Sequence, residues 1–142
     1  MKKYFKFVIV FFIAFVLNAI WELLHYRLYF DLSGIPKYPH LLLATFTDAM
    51  IITGIFLIIS LGHRNLKWID KSKKLDYLLI ILFGLVVAIF IELRALRIER
   101  WAYKEIMPKI FGIGLSPILQ LAINGVLSLL LIKKYFKFEN DK

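Results

Sequence analysis

The sequence predicts an all-α membrane protein, a bundle of four transmembrane helices with a short irregular lid at one end. Hydrophobic residues make up 61% of the 142-residue chain, whereas soluble domains contain about half. They fall into four runs of about 18 to 24 residues, each long enough to cross a hydrocarbon core of about 30 Å. Because no internal repeat is visible, residues 1–142 are predicted to form a single domain.

The first predicted span covers about residues 7–30 and follows a short basic lead. A cleaved signal peptide is the alternative interpretation, but no small-x-small cleavage pattern follows the apolar run. One glycine and two prolines within residues 31–39 break the helix and predict a tight turn. The second predicted span covers about residues 40–62.

A lysine-rich polar loop, residues 63–76, precedes the third predicted span at about residues 77–98. The fourth predicted span covers about residues 115–132 and is closed by lysines that end with Lys137. The 63–76 loop and the lysines after the fourth span are polar, which is typical of segments outside the bilayer.

The connection between the third and fourth spans is predicted to be an irregular lid that re-enters the bundle. It contains Trp101, Tyr103 and the glycine-rich run 112–117. Pro117 suits the first turn of a helix, and Ser116 is predicted to cap that helix.

The distribution of basic residues predicts the orientation. Four spans place both termini on one side, and the termini with the 63–76 loop carry twelve of the 19 lysines and arginines. The positive-inside rule therefore predicts a multi-pass protein of the cytoplasmic (inner) membrane with both termini in the cytoplasm.

Composition also limits the chemistry. The chain has no cysteine, which excludes disulfides, thiolate metal sites and cysteine-held iron–sulfur clusters. No haem or nucleotide signature is visible. The net charge of +9 is carried in short clusters beside the spans, so membrane lipids rather than nucleic acid are the predicted partners.

Ionisable residues within the spans are the main functional signal. Asn18, Glu22 and His25 share a sector of roughly 60° on the first helix. A charged group at membrane depth is a functional hypothesis by default, because its desolvation must be offset by partners or water.

The other helices carry polar residues at the same predicted depth. The second helix has His40, Thr47 and Asp48, and the fourth has Ser116, Gln120 and Asn124. On the third, a small-residue stripe accompanies the carboxylates, in the order Gly84, Ala88, Glu92, Ala95 and Glu99. Together these faces predict one polar cavity that opens outward.

Two kinds of chemistry suit the cavity. Glu22 and His25 form a Glu-x-x-His motif, which is typical of carboxylate-bridged metal sites in bundles, so Glu22, His25 and Asp48 are candidate ligands of a divalent metal. Metal-free acid–base work needs only a glutamate–histidine pair. The candidate catalytic residues are Glu22, His25, Asp48 and Glu92. The candidate ligand-binding residues are Asn18, Arg94, Arg97, Arg100, Trp101, Tyr103, Ser116, Gln120 and Asn124.

A structural interpretation competes with this one. In it, Glu22 or Glu92 pairs with Arg94 or Arg97, and the amides hydrogen-bond between helices. Such bonds contribute only about 0.6 to 2 kcal/mol in membranes, so they explain poorly why three acids and two histidines lie at one depth.

The sequence also resembles a known family. The patterns are Asn18-x-x-Trp21-Glu22-x-x-His25, Thr47-Asp48-Ala49, Glu92, Arg100-Trp101-x-Tyr103 with Met107-Pro108, and Gly112-x-Gly114-Leu-Ser-Pro117-x-x-Gln120. They are similar to those of a family of small, uncharacterised four-span bacterial membrane proteins, and the resemblance covers nearly the whole chain. That family often has a histidine about five residues before the aspartate, where this chain has Leu43. The resemblance implies the fold and no activity.

The leading functional hypothesis is a cavity that binds, and in one version chemically alters, a lipid-like or amphipathic small molecule. The first alternative is an accessory or assembly subunit of a larger membrane complex. The second is a small ion or proton-coupled carrier, which needs a polar path to the cytoplasm. The almost purely apolar inner halves of the spans argue against the carrier.

Overall fold

The computed structural model describes residues 2–136, with side chains from Tyr4 onward, and its residues are 76% helical. The helices are α1 (Lys2–His25), α2 (Lys37–His63), α3 (Lys74–Arg97) and α4 (Leu115–Tyr135). All four are long and apolar enough to span a bilayer. The all-α four-helix class is therefore confirmed, and the chain is a multi-pass membrane protein. The predicted closing residue Lys137 lies outside the described residues.

Large apolar side chains cover the outward faces of the helices. Phe12, Leu42 and Phe90, for example, are 61%, 61% and 71% exposed. In water such a surface would be an aggregation hazard, but in lipid tails it carries no penalty. Smaller and aliphatic residues fill the interior, where Val10, Ile52 and Ile80 are fully buried.

The helices pack in a ring, with α1 between α2 and α4, and α3 against α4. Gly84 permits the close α3–α4 approach, because a Cβ there would lie 2.8 Å from the Ala122 backbone nitrogen. The predicted small-residue stripe is buried from Gly84 to Ala95. Its predicted last member, Glu99, was wrongly placed, because α3 ends at Arg97 and Glu99 is exposed with φ +53°.

At one end of the bundle, here called the sheet end, two short strands pair. After a 3-10 turn (Tyr26–Leu28), strand β1 (Tyr29–Asp31) runs antiparallel to β2 (Trp101–Tyr103), with Asp31 opposite Trp101. The prediction that the first helix extends to about residue 30 is therefore wrong, because the helix ends at His25. The strand pairing satisfies backbone groups that a frayed helix end would leave unpaired.

The predicted irregular lid is also an ordered element. Strands β3 (Lys109–Ile110) and β4 (Ile113–Gly114) form a hairpin. Its turn residues, Phe111 and Gly112, have φ +50° and +79°, as a two-residue hairpin turn of the right-handed twist requires. Phe111 is fully exposed at the tip.

Two local predictions at the helix starts are corrected. Pro39 lies in the first turn of α2 rather than in the preceding break, since α2 begins at Lys37. Ser116 does not cap α4. The cap position is Gly114, which offers no side chain, and Ser116 lies in the first turn with Pro117.

At the opposite end, residues 63–76 were predicted to form a polar loop, but they also contain buried apolar side chains. Trp68 and Ile69 are buried against the core, and the Trp68 indole donates to Ser60 Oγ at 2.5 Å. His63 Nε2 lies 2.5 Å from Asp76 Oδ1, and Lys6 forms an ion pair with Asp70. These contacts close this end of the bundle.

Candidate functional site

A cavity of about 480 Å³ lies within the half of the bundle next to the sheet end. All four helices and both strands of the β1–β2 pair contribute to its wall. Its polar lining residues are Glu22, His25, Tyr26, Tyr29, Asp31, His40, Thr47, Asp48, Glu92, Arg94, Arg100, Trp101 and Gln120. The polar faces that helical periodicity predicted therefore converge on one space.

Asn18 forms part of the wall behind this cavity and is completely buried. Its amide nitrogen donates to Ala14 O at 2.8 Å, which fixes the side chain against its own helix. Its Oδ1 accepts from Asn124 Nδ2 at 2.9 Å and from Gln120 Nε2 at 3.1 Å. These bonds join α1 to α4, as the structural interpretation of the amides predicts.

Gln120 connects this amide layer to the carboxyl groups. Its Nε2 lies 2.8 Å from Glu22 Oε1 and 2.7 Å from Asp48 Oδ2. One amide nitrogen thus holds the Glu22 and Asp48 side chains at a single point next to the cavity.

His25 is held by partners at both ring nitrogens. Nε2 lies 3.1 Å from Glu22 Oε2, and Nδ1 lies 3.0 Å from Ser116 Oγ. The Trp21 indole, which can only donate, donates its N–H to the same Ser116 Oγ at 3.2 Å. One serine thus contacts both Trp21 and His25, while Glu22 contacts the other ring nitrogen of His25.

Glu92 reaches the cavity from α3 and is held by the lid. Its Oε2 accepts from the Trp101 indole at 3.3 Å and from the Tyr103 hydroxyl. Burial, followed by the hydrogen bond to Glu92, raises the pKa of Tyr103, and burial followed by the nearby Glu92 raises the pKa of Tyr29. Both tyrosines therefore remain neutral donors at physiological pH.

Asp31 and His40 form a second acid–histidine pair at the cavity wall. His40 Nδ1 lies 2.5 Å from Asp31 Oδ2. The Asp31 carboxylate also accepts from Ser33 Oγ at 2.6 Å, Ser33 N at 3.0 Å and the Tyr26 hydroxyl at 2.9 Å. Burial opposes the charge, but these hydrogen bonds outweigh it and lower the pKa of Asp31 below its usual range.

The sequence interpretation placed His40 on the polar face of the second helix that lines the predicted cavity, but it did not predict the pairing of His40 with Asp31. One signal was available, because Asp-x-Ser is a common turn in which the carboxylate accepts from the residue two positions on. The pairing with His40 depends on how the turn folds back on α2, which periodicity does not describe.

The three arginines separate into different environments. Arg94 and Arg100 line the cavity, whereas Arg97 does not. Arg94 and Arg97 are exposed, and Arg100 is half-buried. Within residues 4–136, neither Glu22 nor Glu92 forms an ion pair with an arginine. The predicted arginine pairing of the structural interpretation is therefore wrong, because the acids are bound by Gln120, His25, Trp101 and Tyr103 instead.

All but one of the predicted site residues fall into two groups. Eight contribute to the cavity wall: Glu22, His25, Asp48, Glu92, Arg94, Arg100, Trp101 and Gln120. Four lie behind it and contact or support those residues: Asn18, Tyr103, Ser116 and Asn124. Arg97 is the one member of the predicted set that belongs to neither group.

The predicted metal site on Glu22, His25 and Asp48 does not form in this arrangement. Among residues 2–136, no group of three or more histidine, cysteine, aspartate or glutamate side chains could hold a metal ion. The physical reason is that both His25 nitrogens face protein partners, and Gln120 donates to both carboxylates. The same side chains remain suited to proton exchange.

No family model matches the sequence, and no curated protein or solved structure matches it. The resemblance to a four-span bacterial family therefore stays a prediction, and function has to be argued from the residues described above.

Proposed function

We propose that this protein is an inner-membrane protein whose polar cavity opens outward and binds a lipid-like or amphipathic small molecule. In this proposal both termini are cytoplasmic and the sheet end faces outward, because the lysine and arginine excess lies at the other end. Membrane lipids surround the bundle, and the polar part of the bound molecule lies within the cavity.

One observation carries the proposal: the cavity wall includes apolar side chains of α2 and of the end of α3 that are also exposed at the outer surface. These two helices pack less extensively than the other neighbouring pairs. The wall there includes Leu43 and Ile98, which are 48% and 58% exposed. An opening bordered by exposed apolar side chains suits a ligand whose apolar part stays in the bilayer while its polar part enters the cavity.

The acid–base groups supply the means to alter a bound molecule. Glu22, Asp48 and Glu92 lie on three different helices, so they surround the ligand rather than line one side of it. His25 is hydrogen-bonded to Glu22 and can exchange a proton with it. A group with such partners can donate or accept a proton at a ligand oxygen or nitrogen.

The inner half of the bundle favours binding over transport. Fully buried apolar side chains fill the space towards the opposite end, namely Val10, Ala14, Ile52, Phe56, Ile80, Leu129 and Ile132. A proton-coupled carrier needs polar groups or water along its path. The buried hydroxyls of this layer, Ser60 and Ser128, donate to backbone carbonyls of their own helices, so the carrier is the weaker hypothesis.

The test places a bulky residue in the opening. Ala44 lines the cavity and is half-buried, whereas Leu42 on the same helix is exposed to lipid and does not line it. The variants Ala44→Trp and Leu42→Trp would be purified in mild detergent, and co-purified amphiphiles would be measured by native mass spectrometry. Melting temperatures would verify that both variants fold.

We expect the wild type and Leu42→Trp to retain the same amphiphile, and Ala44→Trp to lose most of it. Equal retention by all three folded proteins would overturn the cavity proposal. If none retains an amphiphile but all co-purify with the same protein partner, the accessory-subunit alternative replaces it.

A further inference from the structure

Arg100 contributes a cation to the cavity that no group in residues 4–136 satisfies. Its guanidinium makes no hydrogen bond or ion pair with residues 4–136, and its Nε is buried without a partner. The backbone is held in place, since Arg100 N donates to Ala95 O at 2.9 Å and its carbonyl accepts from Leu32 N at 3.1 Å. A buried donor without an acceptor is destabilising, so a ligand oxygen in contact with this guanidinium would be stabilising.

His40 contributes an unpartnered acceptor to the same cavity. Its Nδ1 is bound to Asp31, while its Nε2 makes no hydrogen bond with any residue in the described part of the chain. The carboxylate at Nδ1 fixes the ring orientation and leaves Nε2 as the acceptor nitrogen. This is the arrangement by which a carboxylate supports a histidine base.

The strand pairing brings these two groups to one wall. Asp31 lies opposite Trp101 in the β1–β2 register, and Leu32 bonds to Arg100 directly. Arg94 lines the same cavity one turn before the end of α3, and it too makes no ion pair within the described residues. Two cations and one base therefore border the cavity at its sheet end.

We propose that this wall is a binding site for a phosphate monoester group, with Arg94 and Arg100 on its anionic oxygens and His40 Nε2 on its hydroxyl. The inference rests on the proposed function and names the polar group of the ligand. The monoanion of a phosphate monoester has one O–H and two oxygens that share one negative charge, since its second ionisation has a pKa of about 6. Phosphodiesters and carboxylates in their anionic forms carry no O–H.

Binding includes a balanced proton transfer. The O–H bond of the phosphate monoanion breaks, a new N–H bond forms at His40 Nε2, and the phosphate becomes a dianion. Asp31 stabilises the imidazolium, and the two arginines stabilise the dianion.

Besides Asp31, the other ionisable groups that face this cavity are Glu22, His25, Tyr26, Tyr29, Asp48 and Glu92. Most are already bound by protein donors: Gln120 donates to Glu22 and Asp48, and Trp101 and Tyr103 donate to Glu92. Arg100 and His40 Nε2 differ from them in lacking such partners.

The test titrates soluble short-chain lipids into the purified full-length protein in detergent, with affinity measured by calorimetry. Dioctanoyl phosphatidic acid carries a phosphate monoester, whereas dioctanoyl phosphatidylmethanol carries a diester and has no hydroxyl in its head group. We expect the wild type to bind the monoester at least about tenfold more tightly. Equal affinity for the two lipids would overturn the proposal.

Substitutions assign the contacts. Arg100→Gln should weaken binding of the monoester by about tenfold, and Arg100→Lys should restore part of it. His40→Gln should abolish the preference for monoester over diester. Lys109→Gln is the matched control, because it removes an exposed cation at the sheet end that does not line the cavity. If folded Arg100→Gln binds like the wild type, the site is not on this wall.

A competition experiment distinguishes a lipid phosphate from free phosphate as the ligand. Inorganic phosphate at millimolar concentration should compete weakly with the lipid, because it lacks the apolar part that occupies the α2–α3 opening. Competition as strong as that of the lipid would overturn the lipid source. A different result would reject this inference alone. If the wild type retains another amphiphile that Ala44→Trp loses, but shows no preference for the monoester, the proposed function stands and the phosphate site is rejected.

Discussion

Gln120 lies 2.7 Å from Asp48 Oδ2 and donates to it from the opposite side of the bundle. The same nitrogen lies 2.8 Å from Glu22 Oε1. One amide on α4 thus contacts carboxyl groups on α1 and α2, so three of the four helices meet at a single polar contact. The amide nitrogen has two hydrogens, which are shared among Glu22, Asp48 and Asn18 Oδ1.

Replacement of Gln120 by leucine should lower thermal stability. The change leaves Glu22 and Asp48 without their shared donor, and a buried acceptor without a donor costs about 1 to 3 kcal/mol. Thermal unfolding in detergent would measure the effect. Ile123→Ala, on a more exposed part of the same helix, should have a smaller effect, and an equal loss would show that Gln120 contributes only packing.

Glu22 and His25 should behave as a coupled pair in a double-mutant cycle. Their side chains are 3.1 Å apart and share the Ser116 and Gln120 network. We expect Glu22→Gln and His25→Ala together to cost less than the sum of the single changes, with a coupling of about 0.5 to 3 kcal/mol. Additive losses in the melting curves would show that the two residues act independently.

The same pair distinguishes a site from a structural contact. If Glu22 and His25 are purely structural, the joint replacement of both by leucine should recover part of the stability lost in the singles, because no unsatisfied partner remains. If they bind a ligand, the double leucine variant should fold but lose the co-purified amphiphile. Retention of the ligand by that variant would argue against a functional role.

Two glycine substitutions should have opposite effects. Gly84→Ala places a Cβ 2.8 Å from the Ala122 nitrogen and should force α3 away from α4. Gly54→Ala in α2 meets nothing within 4 Å and should raise stability by about 0.5 to 1 kcal/mol through helix propensity. Melting temperatures of the two variants check this, and a stabilised Gly84→Ala would show that the helices can separate at no cost.

Asp31 should make the stability of the sheet end depend on acidity. Its pKa is lowered from the ordinary 3.8, so its contribution is fully present above about pH 4 and is lost as pH falls through the lower folded value. Melting temperatures between pH 7 and 3 should fall more steeply for the wild type than for Asp31→Asn. Parallel curves would mean that the hydrogen bonds from Ser33, Tyr26 and His40 do not favour the charged form.

Cysteine labelling should report the orientation. The chain has no cysteine, so single cysteines at Ser33 and Lys71 give an unambiguous signal. We expect a membrane-impermeant reagent to label Ser33→Cys in intact cells and to leave Lys71→Cys unlabelled until the membrane is opened. The reverse pattern would invert the orientation and place the cavity on the cytoplasmic side.

Helical periodicity was sufficient for the spans and for most of the cavity. Residues such as Asn18, Glu22 and His25 share a face because their spacing follows the helical repeat, and that face is buried or lines the cavity. Periodicity says nothing about contacts made outside helices. The β1–β2 pair joins segments about 70 residues apart through three residues each, which is too short for a strand pattern to be recognised.

The Asp31–His40 pair and the unpartnered Arg100 depend on this strand pairing. Their positions follow from a turn that folds back on α2 and from Glu99, which has φ +53° just before Arg100. A non-glycine residue in that conformation is uncommon. Sequence spacing could therefore place these residues near the membrane surface but could not bring them together.

The position of Gln120 on the last helix also bears on biosynthesis. When α1 and α2 leave the ribosome and enter the membrane, Glu22 and Asp48 are present without the amide that later contacts both. Until α4 follows, the nascent helical hairpin carries two carboxyl groups in an apolar environment, where each must stay protonated, reach water or be shielded by the insertion machinery. The cavity therefore comes into being only when the fourth helix arrives, and a ligand cannot be selected before that moment.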